Sequence, residues 1–438
     1  MKALDNIYDT VSSLDNLFKA ATATLARGRR FRGEGARFKF RLEERVLRLH
    51  ELLCSERYRH GKYRLFVVRD PKVRVIAAAE VVDRVVHHAI HDVIEPRLDR
   101  MFIDDSYACR QGKGTHRALD RGHSFLRGHS YGLHLDVQSY FASIDHLILK
   151  NLLRRYIADE RALRLLLQIV DSTAYMAHKQ GLGATVTNFA PEVVPQLELA
   201  LDGGASSEAL RPSTRLRGIP LGNLTSQFFA NLYLNELDQF VKHELKARCY
   251  LRYMDDMLLF SANKKDLLAW EQAIGQFANE FLRVKLHESG GPRPVTRGIE
   301  FLGFRLFPNY RRLKRTSVSR FIKRMRRFNA QIAELPVDDQ GERVALQTEI
   351  YQSAQSFNAH ARHGSTYRIR KTLYDRFPFI EQERLVDFKS DTLTDADVEL
   401  LLGEINGYSA FSGEAIPTEC MVVTEDREDA PRQEVFVG

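Results

Sequence analysis

Two adjacent carboxylates, Asp255 and Asp256, stand between apolar runs: Cys249-Tyr250-Leu251-Arg252 and then Tyr253-Met254 precede them, and Met257-Leu258-Leu259-Phe260 follows. The pattern predicts strand, tight turn, strand, with the acids at the tip. Neighbouring aspartates repel each other. A hard divalent cation relieves that repulsion, and Mg²⁺ is commonly held by one or two carboxylates plus substrate phosphates. The chemistry this offers is phosphoryl transfer. Alone, the pair fits a solvated turn better, because Asp is frequent in turns.

A third acid changes the balance. Leu133-His134-Leu135-Asp136-Val137 reads as a buried strand ending in a carboxylate, and Gln138 to His146 as a turn into a helix with Phe141 near its start. A strand-end Asp by itself is often a turn cap; beside Asp255 and Asp256 it completes a carboxylate set for two metal ions. Cations stand upstream. Residues 63–79 alternate around Asp70-Pro71-Lys72 and predict a hairpin. Lys72 and Arg74 lie two apart, on one face of its second strand. There they suit a triphosphate clamp, Arg offering bidentate contacts, or plain surface charge.

The remaining elements position these groups. Three- and four-residue apolar spacing predicts helices through residues 1–60, 81–100, Leu152–Leu167, 266–283 and 346–380. Gly218 to Gln227 reads as a loop opening a helix, its glycines allowing close backbone approach, with Thr225 or Ser226 as N-cap. Residues 297–307 read as a second hairpin or a bent strand. Two segments are basic. Ser106 to His116 surrounds Arg110, Lys113 and His116 with glycines, a loop able to approach a phosphate backbone. Arg311 to Arg327 holds nine Lys and Arg in 17 positions, an amphipathic helix carrying Arg320, Lys323, Arg324 and Arg327. Nucleic acid, an anionic membrane and a solvated face all fit such a helix; the carboxylates favour nucleic acid.

With 438 residues the chain predicts two or three domains. Its +8 net charge is uneven: residues 391–438 carry 12 acidic and 2 basic residues, the rest 63 basic and 45 acidic. A basic body of +18 suits a polyanion partner. The four cysteines, Cys54, Cys109, Cys249 and Cys420, lack zinc-ligand spacing. Together with the absence of an apolar run of membrane-span length and of a secretory signal, they predict a cytoplasmic protein without membrane attachment.

In this order and spacing, the motifs over residues 60–375 resemble those of a reverse transcriptase. Tyr253-Met254-Asp255-Asp256 is similar to the family's Y-x-D-D turn, Asp136 with Phe141 to its first catalytic motif, Lys72 and Arg74 to its triphosphate-holding residues, and Gly298-Ile299-Glu300-Phe301-Leu302-Gly303-Phe304 to its primer grip. The resemblance implies an α+β right-hand polymerase: a helical extension at 1–60, fingers at 61–132 and 147–217 with an insertion at about 170–215, a palm at 133–146 and 218–308, a helical basic thumb at 309–386 and an acidic tail at 387–438. It implies two Mg²⁺ ions, with Mn²⁺ as an alternative, at Asp136, Val137, Asp255 and Asp256. It also implies dNTP contacts at Lys72, Arg74, Phe141 and Gln227, and an RNA template, a primer and an RNA/DNA hybrid as partners.

Leu221-Gly222 and Ser226-Gln227 replace the Gln-Gly and Ser-Pro of most reverse transcriptases. That pattern resembles the enzymes of diversity-generating retroelements, which copy RNA with errors opposite adenine and work with a small basic accessory protein. It implies that Leu221, Gly222 and Arg74 influence fidelity. Antiphage defence by the same chemistry is the alternative role, and a catalytically idle RNA-binding scaffold the alternative class.

Overall fold

The computed structural model describes residues 2–26, 33–68, 74–172, 192–193, 214–335 and 340–380. The basic loop at 27–32, Lys72, most of the 170–215 insertion and the acidic tail lie outside them.

Helices Tyr8–Ser12, Leu14–Thr24, Gly33–Phe40 and Leu42–Cys54 open the chain. They are followed by the predicted hairpin of β1 (Arg64–Val68) and β2 (Arg74–Ala78), with Val68 opposite Arg74. The helix Val81–Leu98 lies beyond it, then the helix Thr115–Arg127 and β3 (Tyr131–Leu135). A short pair, β4 (Glu192–Val193) and β5 (Thr214–Arg215), precedes the helix Leu224–Gln239. Next come β6 (Tyr250–Tyr253), β7 (Asp256–Ser261), the helix Lys264–Glu280 and β8 (Arg293–Pro294). Then β9 (Ile299–Phe301), β10 (Phe304–Leu306) and β11 (Arg311–Leu313) form an antiparallel sheet. The basic helix Arg315–Glu334, Gln340–Ala361 and Tyr367–Arg376 complete the described chain.

The central sheet has the order β6-β7-β3-β8, all antiparallel. It is buried on both faces because its side chains alternate between two cores. Leu133, Leu135, Tyr250, Met257 and Leu259 join the core built by the helices of residues 8–98, 140–171 and 224–280. Leu251, Leu258 and Phe260 join a second core with the helix Thr115–Arg127, β9 to β11 and the C-terminal helices. Gly132 is required where these layers meet, since a Cβ there would come within 2.9 Å of the Phe260 ring.

The single helix expected over Leu152–Leu167 is two, His146–Tyr156 and Glu160–Asp171. Asp159 is the cause. Its carboxylate accepts from the backbone of Arg161 and Ala162 at 3.0 Å, starting the second helix, and from Ile7 and Tyr8 at 2.8 Å, starting the first helix of the chain. Burial works to raise its pKa, yet those N–H groups hold it below the usual Asp range. Asp159→Ala strips the caps from two helix ends and is expected to cost about 2 kcal/mol, read as a lower denaturant midpoint. An unchanged midpoint would show the caps to be dispensable.

Candidate active site

The hairpin that carries Asp255 and Asp256 follows from the register of β6 and β7. Tyr253 pairs with Asp256, leaving Met254 and Asp255 as a two-residue turn. Such turns require positive φ at the first central position, and Met254, not a glycine, takes it at 55°. The expectation of both acids at the tip is corrected in one detail: Asp255 is in the turn, whereas Asp256 is the first residue of β7. On β3, Leu135 pairs with Met257, so continuing that register sets Asp136 opposite Asp256. Residues 120 apart in sequence thus meet at one end of the sheet.

Beyond β3 the chain pairs with the segment after the helix Lys264–Glu280. Gln138 N–H donates to the Lys285 carbonyl and His287 N–H to the Asp136 carbonyl, both at 2.8 Å. Val137 faces Leu286 in this bridge, which leaves the Val137 carbonyl out of it. Ser139, in the left-handed region at φ 46°, turns the chain into the short helix Tyr140–Ser143 that carries Phe141. Phe141 is half-buried and its carbonyl accepts from Ile219 N–H at 2.9 Å, which ties it to the loop leading to Leu221.

Asp255 and Asp136 both resist ionising. Burial, then the charges of Asp256 and Asp136, push Asp255 up to about 7. Burial and then Asp256 raise Asp136, partly offset by His134 and His287. His134, on β3, lies 2.9 Å from Asp256 through Nε2. Burial lowers its pKa, but the bond to Asp256 and the two carboxylate charges outweigh that and raise it. Such frustrated acids and hard oxygens are what a divalent cation relieves. Among the described residues, no three His, Cys, Asp or Glu side chains already converge into a metal cage. The donor set fits Mg²⁺ in that substrate phosphates are needed to complete its shell.

Arg74 is close enough for its charge to lower Asp255, so β2 reaches toward the acids. The reason is contact with the Leu221 loop: Ala77 N–H donates to the Leu221 carbonyl at 3.4 Å. Gly222, at φ 105°, lies so near Ile76 that a Cβ would sit 3.2 Å from its Cγ2. Gln227 is half-buried in the first turn of the helix Leu224–Gln239. Asn223 is the N-cap of that helix, so neither Thr225 nor Ser226 takes that place; both are buried within its first turn.

Three of the residues expected to contact nucleic acid are engaged within the protein. Arg110 has a side chain 6% exposed and binds Asp99 in a bidentate pair, plus the Ile103 and Ser106 carbonyls. Lys113 is bound to the carboxylate and carbonyl of Asp104. His116 stacks on His363, ring centroids 3.3 Å apart, joining the helix Thr115–Arg127 to the C-terminal helices. Burial, then the charge of His116 and nearby Arg362 and Arg311, holds His363 down at about 4. The 106–116 loop is therefore a scaffold: Ser106 bridges Arg252 in parallel, and Thr115 Oγ1 donates to Tyr253 Oη at 3.1 Å. On the basic helix, Lys323, Arg324 and Arg327 are exposed, Arg324 reaching Ser353 Oγ at 3.3 Å, while Arg320 is half-buried and donates to the Thr316 carbonyl.

The sequence reading missed His134 and the buried set behind the hairpin. Arg252 and Asp238 form an ion pair with both side chains fully buried. An Arg inside an otherwise apolar strand was the available signal, since such a charge needs a buried partner.

The model of the reverse transcriptase (RNA-dependent DNA polymerase) family matches residues 69–306, more than half the chain. The chain belongs to that family. Its mixed helices and antiparallel sheets are the α+β polymerase fold expected. Over 161 residues it is 25% identical to the "Uncharacterized 91 kDa protein in cob intron" of Schizosaccharomyces pombe, covering 37% of this chain and 16% of that one. Over 215 residues it is 24% identical to "Protein YkfC" of Escherichia coli, covering 46% and 43%. It thus spans less than half of either curated relative. The apo telomerase of Candida tropicalis superposes with a TM-score of 0.41 at 10% identity, covering 79% of this chain and 62% of that one. Among the described residues no helix is long and apolar enough to cross a membrane.

Proposed function

We propose that this protein is an RNA-directed DNA polymerase that extends a primer on an RNA template by two-metal nucleotidyl transfer. The observation that carries this reading is the meeting of Asp136, Asp255 and Asp256 at one sheet end, within a segment matched by the reverse transcriptase family. Asp136, Asp255 and the Val137 carbonyl would hold the metal ions, with Asp256 oriented by His134. When bound, Mg²⁺ activates a primer hydroxyl and stabilises a leaving pyrophosphate. Arg74, with Lys72, neutralises the triphosphate. Phe141 packs under the sugar, and Gln227 and the Leu221-Gly222 loop border the nascent pair. On this reading the central sheet is the palm, the β1–β2 hairpin belongs to the fingers, and the basic helix Arg315–Glu334 lies in the thumb along the hybrid backbone.

The role proposed for this activity is mutagenic copying in a diversity-generating retroelement, with a small basic accessory protein. Leu221-Gly222 and Ser226-Gln227 support it, because they alter the loop that β2 leans on. Purified protein given a primed RNA template, dNTPs and Mg²⁺ is expected to make cDNA with errors concentrated at template adenines. No extension would sink the polymerase reading and leave an RNA-binding scaffold. Extension with evenly spread errors would move the role to antiphage defence.

A further inference from the structure

Behind the Met254-Asp255 turn lies a fully buried polar set that touches neither metal nor substrate in the reading above. Arg252, on β6, donates from Nε and Nη2 to Asp238 at 2.8 and 2.6 Å. Asp238, on the helix Leu224–Gln239, also accepts from Tyr250 Oη at 2.7 Å. The remaining Arg252 nitrogen, Nη1, donates to two acceptors. One is Asn231 Oδ1 at 3.2 Å; the other is the backbone carbonyl of Met254 at 2.9 Å. Asn231 is itself fixed by its Nδ2 donating to the Ala108 carbonyl at 2.8 Å. The backbone of Arg252 is clamped as well: its N–H donates to the Asp105 carbonyl and its carbonyl accepts from Tyr107 N–H, both at 2.9 Å.

Stability alone does not account for this arrangement. A buried ion pair roughly breaks even against apolar side chains of the same volume. What apolar side chains cannot do is grip a turn carbonyl. Met254 is held at φ 55°, a conformation that a side-chain-bearing residue keeps only where its surroundings over-determine it. The Met254 carbonyl belongs to the peptide that leads directly into Asp255. Its orientation therefore sets where the Asp255 carboxylate points.

We propose that Arg252 is a positioning residue, oriented by Asp238 and Asn231, that fixes the Asp255 carboxylate through the Met254 carbonyl. The inference rests on the polymerase reading. A guanidinium is suited to the task because its fork binds Asp238 with one edge while its other nitrogen reaches the turn. A lysine ammonium cannot span both.

The test uses the full chain. In Arg252→Met with Asp238→Leu and Tyr250→Phe, the ion pair and its phenol partner are removed with no charge or hydroxyl left unpaired, and Asn231 keeps its bond to the Ala108 carbonyl. This variant is expected to fold and to keep its KM for dNTP and its affinity for primed template within about twofold, while kcat falls about 10- to 100-fold, the scale of a ~1 Å misplacement of a catalytic group. Arg252→Lys is expected to show the same split more weakly, about 5- to 10-fold in kcat, since it preserves the charge but not the fork. A folded triple variant with wild-type kcat overturns the inference. If the triple variant does not fold, Arg252→Lys decides: wild-type kcat overturns the inference, and reduced kcat at unchanged KM upholds it. A wild-type protein that extends no primer would instead overturn the polymerase reading, a result distinguishable from either.

Discussion

Asp255→Asn is expected to reduce primer extension by about 10³-fold or more, with primed-template affinity within about twofold. The substitution keeps the size and shape of the side chain and removes its charge. Asp255 lies in a turn of two residues, flanked by strands whose register sets Asp256 and Asp136 beside it. A metal held there supplies several kcal/mol of charge stabilisation, and each 1.36 kcal/mol is tenfold in rate. Asp136→Asn is expected to act alike, because its carboxylate stands just beyond β3, opposite Asp256 at the same sheet end. Asp256→Asn should cost less: one oxygen of Asp256 already serves His134 at 2.9 Å. Single-turnover extension on a primed RNA separates the three. An Asp255→Asn enzyme that retains more than about a tenth of wild-type activity would remove Asp255 from the catalytic set.

The carboxylates were legible in the sequence because each is bounded by apolar residues that alternate as strands do. Leu133, Leu135, Met257 and Leu259 point into one core and Leu258 and Phe260 into the other, so the acids had to fall at strand ends. The hairpins at β1–β2 and β9–β10 were legible for the same reason. The ion pairs of Arg110 and Lys113 were not legible because a basic, glycine-rich loop looks alike whether it faces solvent or folds onto its own carboxylates. Only the placement of Asp99 and Asp104 decides, and it depends on loop geometry that periodicity does not carry. The break at Asp159 was hidden because apolar spacing continues through it, while the cap bonds that interrupt the helix come partly from residues 150 positions away. His134 was overlooked because nothing along its own strand points to a partner until the register shows Asp256 beside it.

The same substitution that disables catalysis is expected to stabilise the metal-free protein at alkaline pH. Asp255 has a pKa of about 7 in the fold against 3.8 for the ordinary side chain, chiefly from burial and then from Asp256 and Asp136. Between those values the native state holds a proton that the unfolded chain has released. Stability contributed by Asp255 is therefore fully present below about pH 4 and is lost as pH rises through 7. By pH 8 the loss is on the order of 2–3 kcal/mol, allowing for solvent screening at the half-exposed tip. Asn cannot ionise and escapes it. In EDTA, Asp255→Asn should melt a few degrees above wild type at pH 8, by a smaller margin at pH 5, and level with it at about pH 4. The difference between the two proteins isolates Asp255, since His87, His123 and His146, each lowered chiefly by burial, titrate in both. Millimolar Mg²⁺ should raise the wild-type melting temperature at pH 8 more than at pH 5, because the metal binds deprotonated carboxylates, and should narrow or reverse the gap. Equal melting temperatures at pH 8 in EDTA would mean that the three acids do not burden the fold, and with that the electrostatic case for a cation at this sheet end would fail.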